Sequence, residues 1–122
     1  MRAALGVLAD VICVLVFVVI GRASHHAGGS LAGVVSTALP FLAGLAAGEL
    51  ITRSWRRPFA LVPTGVGVWL ATVAIGQALR VAAGQGTEIA FIAVSAAFLG
   101  LFLLGWRVAA ARVQAVRSRR PR

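Results

Sequence analysis

Two acidic residues stand in otherwise apolar segments, and they are the first candidates for chemistry. Asp10 lies within GVLADVICVLVFVV, and Glu49 lies within LAAGELIT. Placing an ionised carboxylate in hydrocarbon costs about 3 kcal/mol unless a partner compensates it, so such a residue marks a proton site, a cation site or a structural polar contact. The functional interpretation therefore depends on what surrounds Asp10.

The composition of the chain is that of a membrane protein. Of its 122 residues, 60% are hydrophobic and only 12% are charged, whereas a soluble domain has about a quarter of its residues charged. A glycine-rich phosphate loop and a nucleophile paired with a base are both missing from the sequence. We therefore expect neither an enzyme nor a bound cofactor.

Four segments are long enough to cross a bilayer. A hydrocarbon core about 30 Å thick needs about 20 apolar residues in a helix that rises about 1.5 Å per residue. The segments cover residues 3–20, 31–52, 64–83 and 88–106. Because the connections are short, neighbouring helices should run antiparallel. The sequence predicts an all-α, up-down-up-down bundle over residues 1–106 and a basic tail over residues 107–122.

The arginines are distributed unevenly between the two sides of this bundle. Ten of them fall on one side: Arg2, Arg53, Arg56, Arg57, Arg107, Arg112, Arg117, Arg119, Arg120 and Arg122. Only Arg22 and Arg80 fall on the other side. Since positive flanks stay on the cytoplasmic side, we expect both termini in the cytoplasm of a cell whose plasma membrane holds the chain.

The two apolar-segment carboxylates should lie at similar depth in the cytoplasmic half. Asp10 is about 10 Å inside the boundary of its helix, and Glu49 is one helical turn from Arg53. Arginine side chains are long enough to reach inward from the interface. We expect an inner polar cluster of Asp10, Glu49, Arg53, Arg56 and Arg57.

A second polar group is expected at the opposite end of the bundle. Its members are Arg22, His25, Gln77, Arg80 and Glu88, and Arg80 is positioned to pair with Glu88 across a short loop. His25 and His26 are adjacent, but neighbouring residues in a loop rarely bind one ion and no further ligand stands beside them. We therefore expect no metal site.

Small residues are spaced for close helix packing. Helices in lipid associate through small side chains and interhelical hydrogen bonds. The candidate contact residues are Gly44, Gly48, Gly65, Thr72, Gly76 and Gly100. Whether a spare face of this kind joins a second copy of the chain stays open.

Two functions remain open at this point. In the first, the protein is structural or interacts with other membrane components, Asp10 is held by arginines, and the basic tail lies on anionic lipid headgroups rather than on nucleic acid. In the second, a small homo-oligomeric transporter or channel uses Asp10 as a proton or cation site. A cavity that reaches Asp10 would separate them.

Ordered segments of the chain resemble a known family. They are ADVICVLVFVVIGRASH, TALPFLAGLAAGELITRSWRRP, PTGVGVWLATVAIGQALR and FLGLFLLGWR. Over about residues 9–107 they are similar to domain of unknown function 3054, small four-helix membrane proteins of actinobacteria and haloarchaea. The resemblance matches Asp10, Gly21, Arg22, His25, Pro40, Arg53, Trp55, Arg57, Pro58, Pro63, Thr64, Gly65, Trp69, Arg80, Trp106 and Arg107. It implies the four-helix fold and implies no activity.

Overall fold

A computed structural model describes residues 2–24, 30–86 and 88–119 of the chain. The helices are α1 (Arg2–Ser24), α2 (Leu31–Thr52), α3 (Val66–Ala82) and α4 (Ile89–Arg119), and a kinked turn, Leu61–Gly65, leads into α3. The described ranges contain no strand. All four helical segments are long and apolar enough to span a membrane, which confirms the all-α membrane class.

The described part of the tail continues the fourth helix. The spans were predicted to end at residue 106, but α4 continues without a break to Arg119. The sequence RVAAARVQAVRSR is rich in alanine and arginine, which are among the best helix formers, and contains neither glycine nor proline. Arg107 consequently lies inside a helix rather than at its end.

The second helix ends in a well-defined turn. Its first turn is capped by Ser30, whose hydroxyl accepts a hydrogen bond from the Gly33 N–H at 3.1 Å. At the other end Arg53 adopts a left-handed conformation with φ of 53°, and the Ser54 N–H donates to the Glu49 carbonyl at 3.0 Å. This conformation stops the helix, and the chain turns towards α3.

Buried and exposed residues are distributed as lipid solvation requires. Leu8, Ile51 and Leu101 are more than half exposed, whereas Asp10 and Arg107 are buried. Where the surroundings are apolar, a leucine gains little by moving inward, so polar groups and close contacts define the interior. The helices pack on an aromatic core that includes Phe17 and Phe41, with their ring centroids 5.3 Å apart.

Candidate functional site

A buried ion pair joins the first and fourth helices. Arg107 Nη2 donates to Asp10 Oδ2 and Arg107 Nη1 donates to Asp10 Oδ1, both at 2.8 Å. Both side chains have 0% of their surface exposed. This two-pronged arrangement uses the planar fork of the guanidinium and is the strongest geometry available to an arginine and a carboxylate.

Further hydrogen bonds surround the pair. Arg107 Nη1 donates to the Leu103 carbonyl at 2.9 Å, and Arg107 Nε donates to the Pro58 carbonyl at 3.0 Å. Trp106 Nε1 donates to Asp10 Oδ1 at 2.9 Å. One guanidinium group therefore ties together α1, α4 and the loop between α2 and α3, and Asp10 receives three hydrogen bonds.

Two glycines allow the loop and helices to approach this pair. A Cβ on Gly6 of α1 would lie 2.7 Å from the Pro58 Cβ, and one on Gly65 would lie 3.0 Å from the Arg107 Cδ. Side chains at either position would push apart the backbone segments that the pair joins. Two glycines that are far apart in the sequence therefore allow close packing around the ion pair.

Glu49 lies beside this pair with a different partner. Its Oε1 accepts from the Ser54 hydroxyl at 2.8 Å, and its carboxyl group interacts with that of Asp10. Its Oε2 is buried and has no hydrogen-bond partner within the described ranges. Two carboxyl groups and one guanidinium group therefore share the interior near Arg107.

The prediction that Asp10 is held by Arg53, Arg56 and Arg57 is wrong. These three side chains are exposed on the turn that follows α2, and Asp10 pairs with Arg107 instead. The error arises because the fourth span was predicted to end at residue 106, which places Arg107 in the tail. An arginine beyond the end of a helix has no defined orientation towards α1, so Arg107 was not considered as a partner of Asp10.

One signal in the sequence could have identified Arg107. The resemblance matched Asp10, Trp106 and Arg107 together. In a bundle with antiparallel first and last helices, a residue early in α1 faces one late in α4. Counting Arg107 only as a flanking positive charge concealed this pairing.

The geometry around Asp10 does not suit exchange with water. Asp10 is 0% exposed, and five cavities of the described ranges have neither Asp10 nor Arg107 in their walls. Both carboxylate oxygens of Asp10 accept hydrogen bonds from Arg107. The arrangement can fasten helices together.

A known protein family matches most of the chain. A family model described as Protein of unknown function (DUF3054) matches residues 7–110, a range that includes both Asp10 and Arg107. The chain belongs to the DUF3054 family. No curated protein and no solved structure matches it.

In this DUF3054 protein the predicted outer polar residues form separate contacts. Arg22 Nη1 donates to the Thr37 hydroxyl at 3.0 Å between α1 and α2. Gln77 Nε2 donates to the Ser95 hydroxyl at 2.7 Å between α3 and α4. His25 lies outside the described residues. Within them, no group of three His, Cys, Asp or Glu side chains is placed to hold a metal ion.

The expected pairing of Arg80 with Glu88 is replaced by contacts to the loop after α3. Arg80 Nη1 donates to Gln85 Oε1 at 3.1 Å, and its Nε donates to the Gly86 carbonyl at 3.2 Å. Gly84 and Gly86 have φ of 74° and 76°, a conformation that glycine adopts without strain. These two residues fold the loop back onto the guanidinium group, so its donors bind loop oxygens.

The small residues lie at helix contacts of the DUF3054 fold. In α2, a Cβ on Gly44 would lie 3.0 Å from the Thr72 carbonyl, and one on Gly48 would lie 3.0 Å from the Val68 Cα. Gly76 lies against the ring of Phe41, and Gly100 lies against the ring of Trp69. Gly65 lies against α4 rather than α2.

Proposed function

We propose that this protein is a multi-pass component of the plasma membrane with a structural or partner-binding role. Its four helices cross the bilayer in up-down-up-down order, with both termini in the cytoplasm. The excess of arginine on one side of the spans supports this orientation. Neither catalysis nor a cofactor is part of the proposal.

The single observation that carries the proposal is the buried, two-pronged bond between Asp10 and Arg107. A carboxylate that drives transport must exchange protons or cations with water, whereas Asp10 is enclosed and accepts three hydrogen bonds from the protein. Its role in the proposal is to hold α1, α4 and the α2–α3 loop in one arrangement. The geometry therefore favours a structural role over a transporter or channel that uses Asp10.

The exposed end of α4 contributes a second part of the proposal. Arg112, Arg117 and Arg119 lie on this helix, and all three are exposed. Near an anionic membrane surface each arginine contributes about 1 kcal/mol of attraction. Lipid headgroups rather than nucleic acid are the proposed partner of the tail, and a second copy of the chain is a further candidate partner.

A double-mutant cycle tests the role of the ion pair. Asp10→Asn and Arg107→Gln should each lower the free energy of unfolding by about 3 kcal/mol, because each leaves a buried group without its charged partner. The combined change Asp10→Leu with Arg107→Met should cost much less than the sum of the single changes, since no unpaired charge remains. Unfolding in detergent can be followed by labelling Cys13, the one cysteine, which is buried in the core.

Proton flux in reconstituted vesicles is the companion measurement. The structural proposal expects the same background flux for the wild type and Asp10→Asn. An Asp10→Asn variant that is as stable as the wild type, or a flux that depends on Asp10, would contradict it.

A further inference from the structure

A small cavity lies on the surface of the loop that joins α2 to α3. It has a volume of about 200 Å³ and is lined by Thr52, Arg53, Arg56, Arg57, Pro63 and Thr64. Arg53, Arg56 and Arg57, here called the loop arginines, thus all line this concave site. Arg56 and Arg57 also line a second cavity, together with Arg2. The site is separate from the Asp10–Arg107 pair, which does not line it.

No acidic residue of the chain neutralises the loop arginines. The chain has three acidic residues. Asp10 is bound to Arg107, and Glu49 is buried and bonded to Ser54. Glu88 precedes α4 and lines a different cavity, together with Arg80. In the described ranges no ion pair reaches the loop arginines, so their charge is open to an anion from outside these ranges.

The loop that carries these arginines is held firmly in place. The Arg56 N–H donates to the Arg53 carbonyl at 3.0 Å, and the Arg57 N–H donates to the Ser54 carbonyl at 3.1 Å. Beyond this turn, the Pro58 carbonyl is bound by Arg107. A site whose backbone is already ordered loses less entropy when a ligand binds. The cavity is therefore better prepared for an anion than a flexible basic segment would be.

Thr64 lines the cavity and has a buried hydroxyl group. Its side chain is buried, with 1% exposed, and its hydroxyl has no hydrogen-bond partner among the described residues. A buried hydroxyl without a partner costs free energy, and an anionic oxygen that reached it would remove that cost by accepting a hydrogen bond from it. Guanidinium groups together with a hydroxyl donor are a suitable set for a phosphate group.

We propose that this cavity, named here the loop cavity, binds the phosphate group of an anionic phospholipid. Next to it along the chain, Ile51, Leu61 and Val62 expose apolar side chains. The loop joins α2 and α3, both of which belong to segments long and apolar enough to span a membrane. A phospholipid supplies both a phosphate for the arginines and acyl chains for this apolar surface, whereas a free phosphate supplies only the first.

The inference rests on the membrane placement proposed above and does not require the Asp10–Arg107 pair to be structural. It also differs from attraction of the tail to lipid, because it assigns one lipid to a formed site. The loop-cavity proposal can therefore fail while the proposed structural role of the Asp10–Arg107 pair holds, and the reverse is also true.

Native mass spectrometry of the full chain in detergent tests the loop cavity. The probes are phosphatidylglycerol, cardiolipin and phosphatidylcholine. The variant R53Q/R56Q/R57Q should bind the two anionic lipids about tenfold more weakly or worse. Thr64→Val keeps the shape and charge of the site and removes only the hydroxyl, so it should weaken binding of anionic lipid severalfold.

A matched control removes the same charge from the tail. R112Q/R117Q/R119Q also deletes three arginines but leaves the loop cavity intact, so it should retain bound anionic lipid. Labelling of Cys13 on heating reports whether each variant is folded.

Three outcomes would contradict the proposal that the loop cavity binds a phospholipid. Equal losses in the loop and tail variants would show that only total charge matters. Retention of anionic lipid by R53Q/R56Q/R57Q, with loss in the tail variant, would place lipid binding in the tail alone. If inorganic phosphate at millimolar concentration displaces the lipid completely, the ligand is free phosphate and the assignment to a phospholipid is wrong.

Discussion

At the scale of single residues, the Asp10–Arg107 pair gives α1 and α4 a defined register. Apolar helix faces pack about as well against lipid as against each other, so they discriminate weakly between alternative arrangements. A guanidinium group that makes four hydrogen bonds in one place does discriminate. A shift of either helix by one turn would leave a buried charge without its partner, at a cost of about 3 kcal/mol or more.

Trp106 provides a test at this scale. Trp106→Phe removes the hydrogen bond to Asp10 Oδ1 and keeps a ring against Phe59, whose centroid is 5.3 Å from that of Trp106. The free energy of unfolding should fall by about 1.5 kcal/mol, the value of a hydrogen bond to a charged group. Thermal unfolding followed at Cys13 measures the change.

Trp55→Phe is the matched control for this substitution. Trp55 is 50% exposed on the loop after α2, so its replacement should change stability by less than about 0.5 kcal/mol. Equal stability of Trp106→Phe and the wild type would mean that the indole N–H contributes nothing to holding Asp10.

At the scale of elements, α2 and α3 are joined by close backbone contact rather than by charge. Gly44 and Gly48 are four residues apart on α2 and meet the backbone of α3 at Thr72 and Val68. With no side chain between them, two helices gain dispersion contacts along their whole interface.

A single methyl group tests this contact. Gly44→Ala places a Cβ 3.0 Å from the Thr72 carbonyl, and the crowding should cost about 1 to 3 kcal/mol. This exceeds the gain of up to about 1 kcal/mol in helix propensity that alanine brings. The net effect should be a lower unfolding temperature in detergent.

Gly21→Ala makes the same chemical change where there is room for it. Nothing lies within 4 Å of the Cβ that would be added at Gly21 of α1, so helix propensity alone should act and stability should stay equal or rise slightly. If Gly44→Ala behaved in the same way as Gly21→Ala, α2 and α3 would not be in the close contact described.

At the scale of the whole molecule, polar contacts are concentrated towards the two ends of the bundle. One end has the Asp10–Arg107 pair and the loop arginines. Near the other end Gln85 Nε2 donates to the Ser36 carbonyl at 3.1 Å, linking the α3–α4 loop to α2. An apolar middle with polar ends matches the polarity profile of a bilayer.

The proposed orientation predicts different labelling of two added cysteines. In a Cys13→Ser background, Ser30→Cys should react with an impermeant thiol reagent added outside intact cells. Ser118→Cys should react only after the membrane is permeabilised, because it lies on the end of α4 proposed to be cytoplasmic. Both serines are exposed, so burial does not decide the result. Labelling of Ser118→Cys in intact cells would contradict cytoplasmic termini.

The sequence by itself determined the elements of this protein. Hydrophobic length determined the four helical segments, because a span of about 20 apolar residues is a local property of the chain. These helices, whose presence is confirmed, could be predicted without knowing which residues contact one another. The same local reasoning identified Asp10 as the acid that needs a partner.

Only the tertiary structure decided which partner Asp10 has. Arg53, Arg56 and Arg57 were the expected partners because depth along a helix is readable from sequence, whereas the angular position of a side chain around the bundle is not. The unbroken course of α4 beyond residue 106 brings Arg107 to Asp10. It leaves the loop arginines exposed around a cavity of their own. The direction in which a side chain points depends on how the helices pack against one another. No single segment of the sequence specifies that packing.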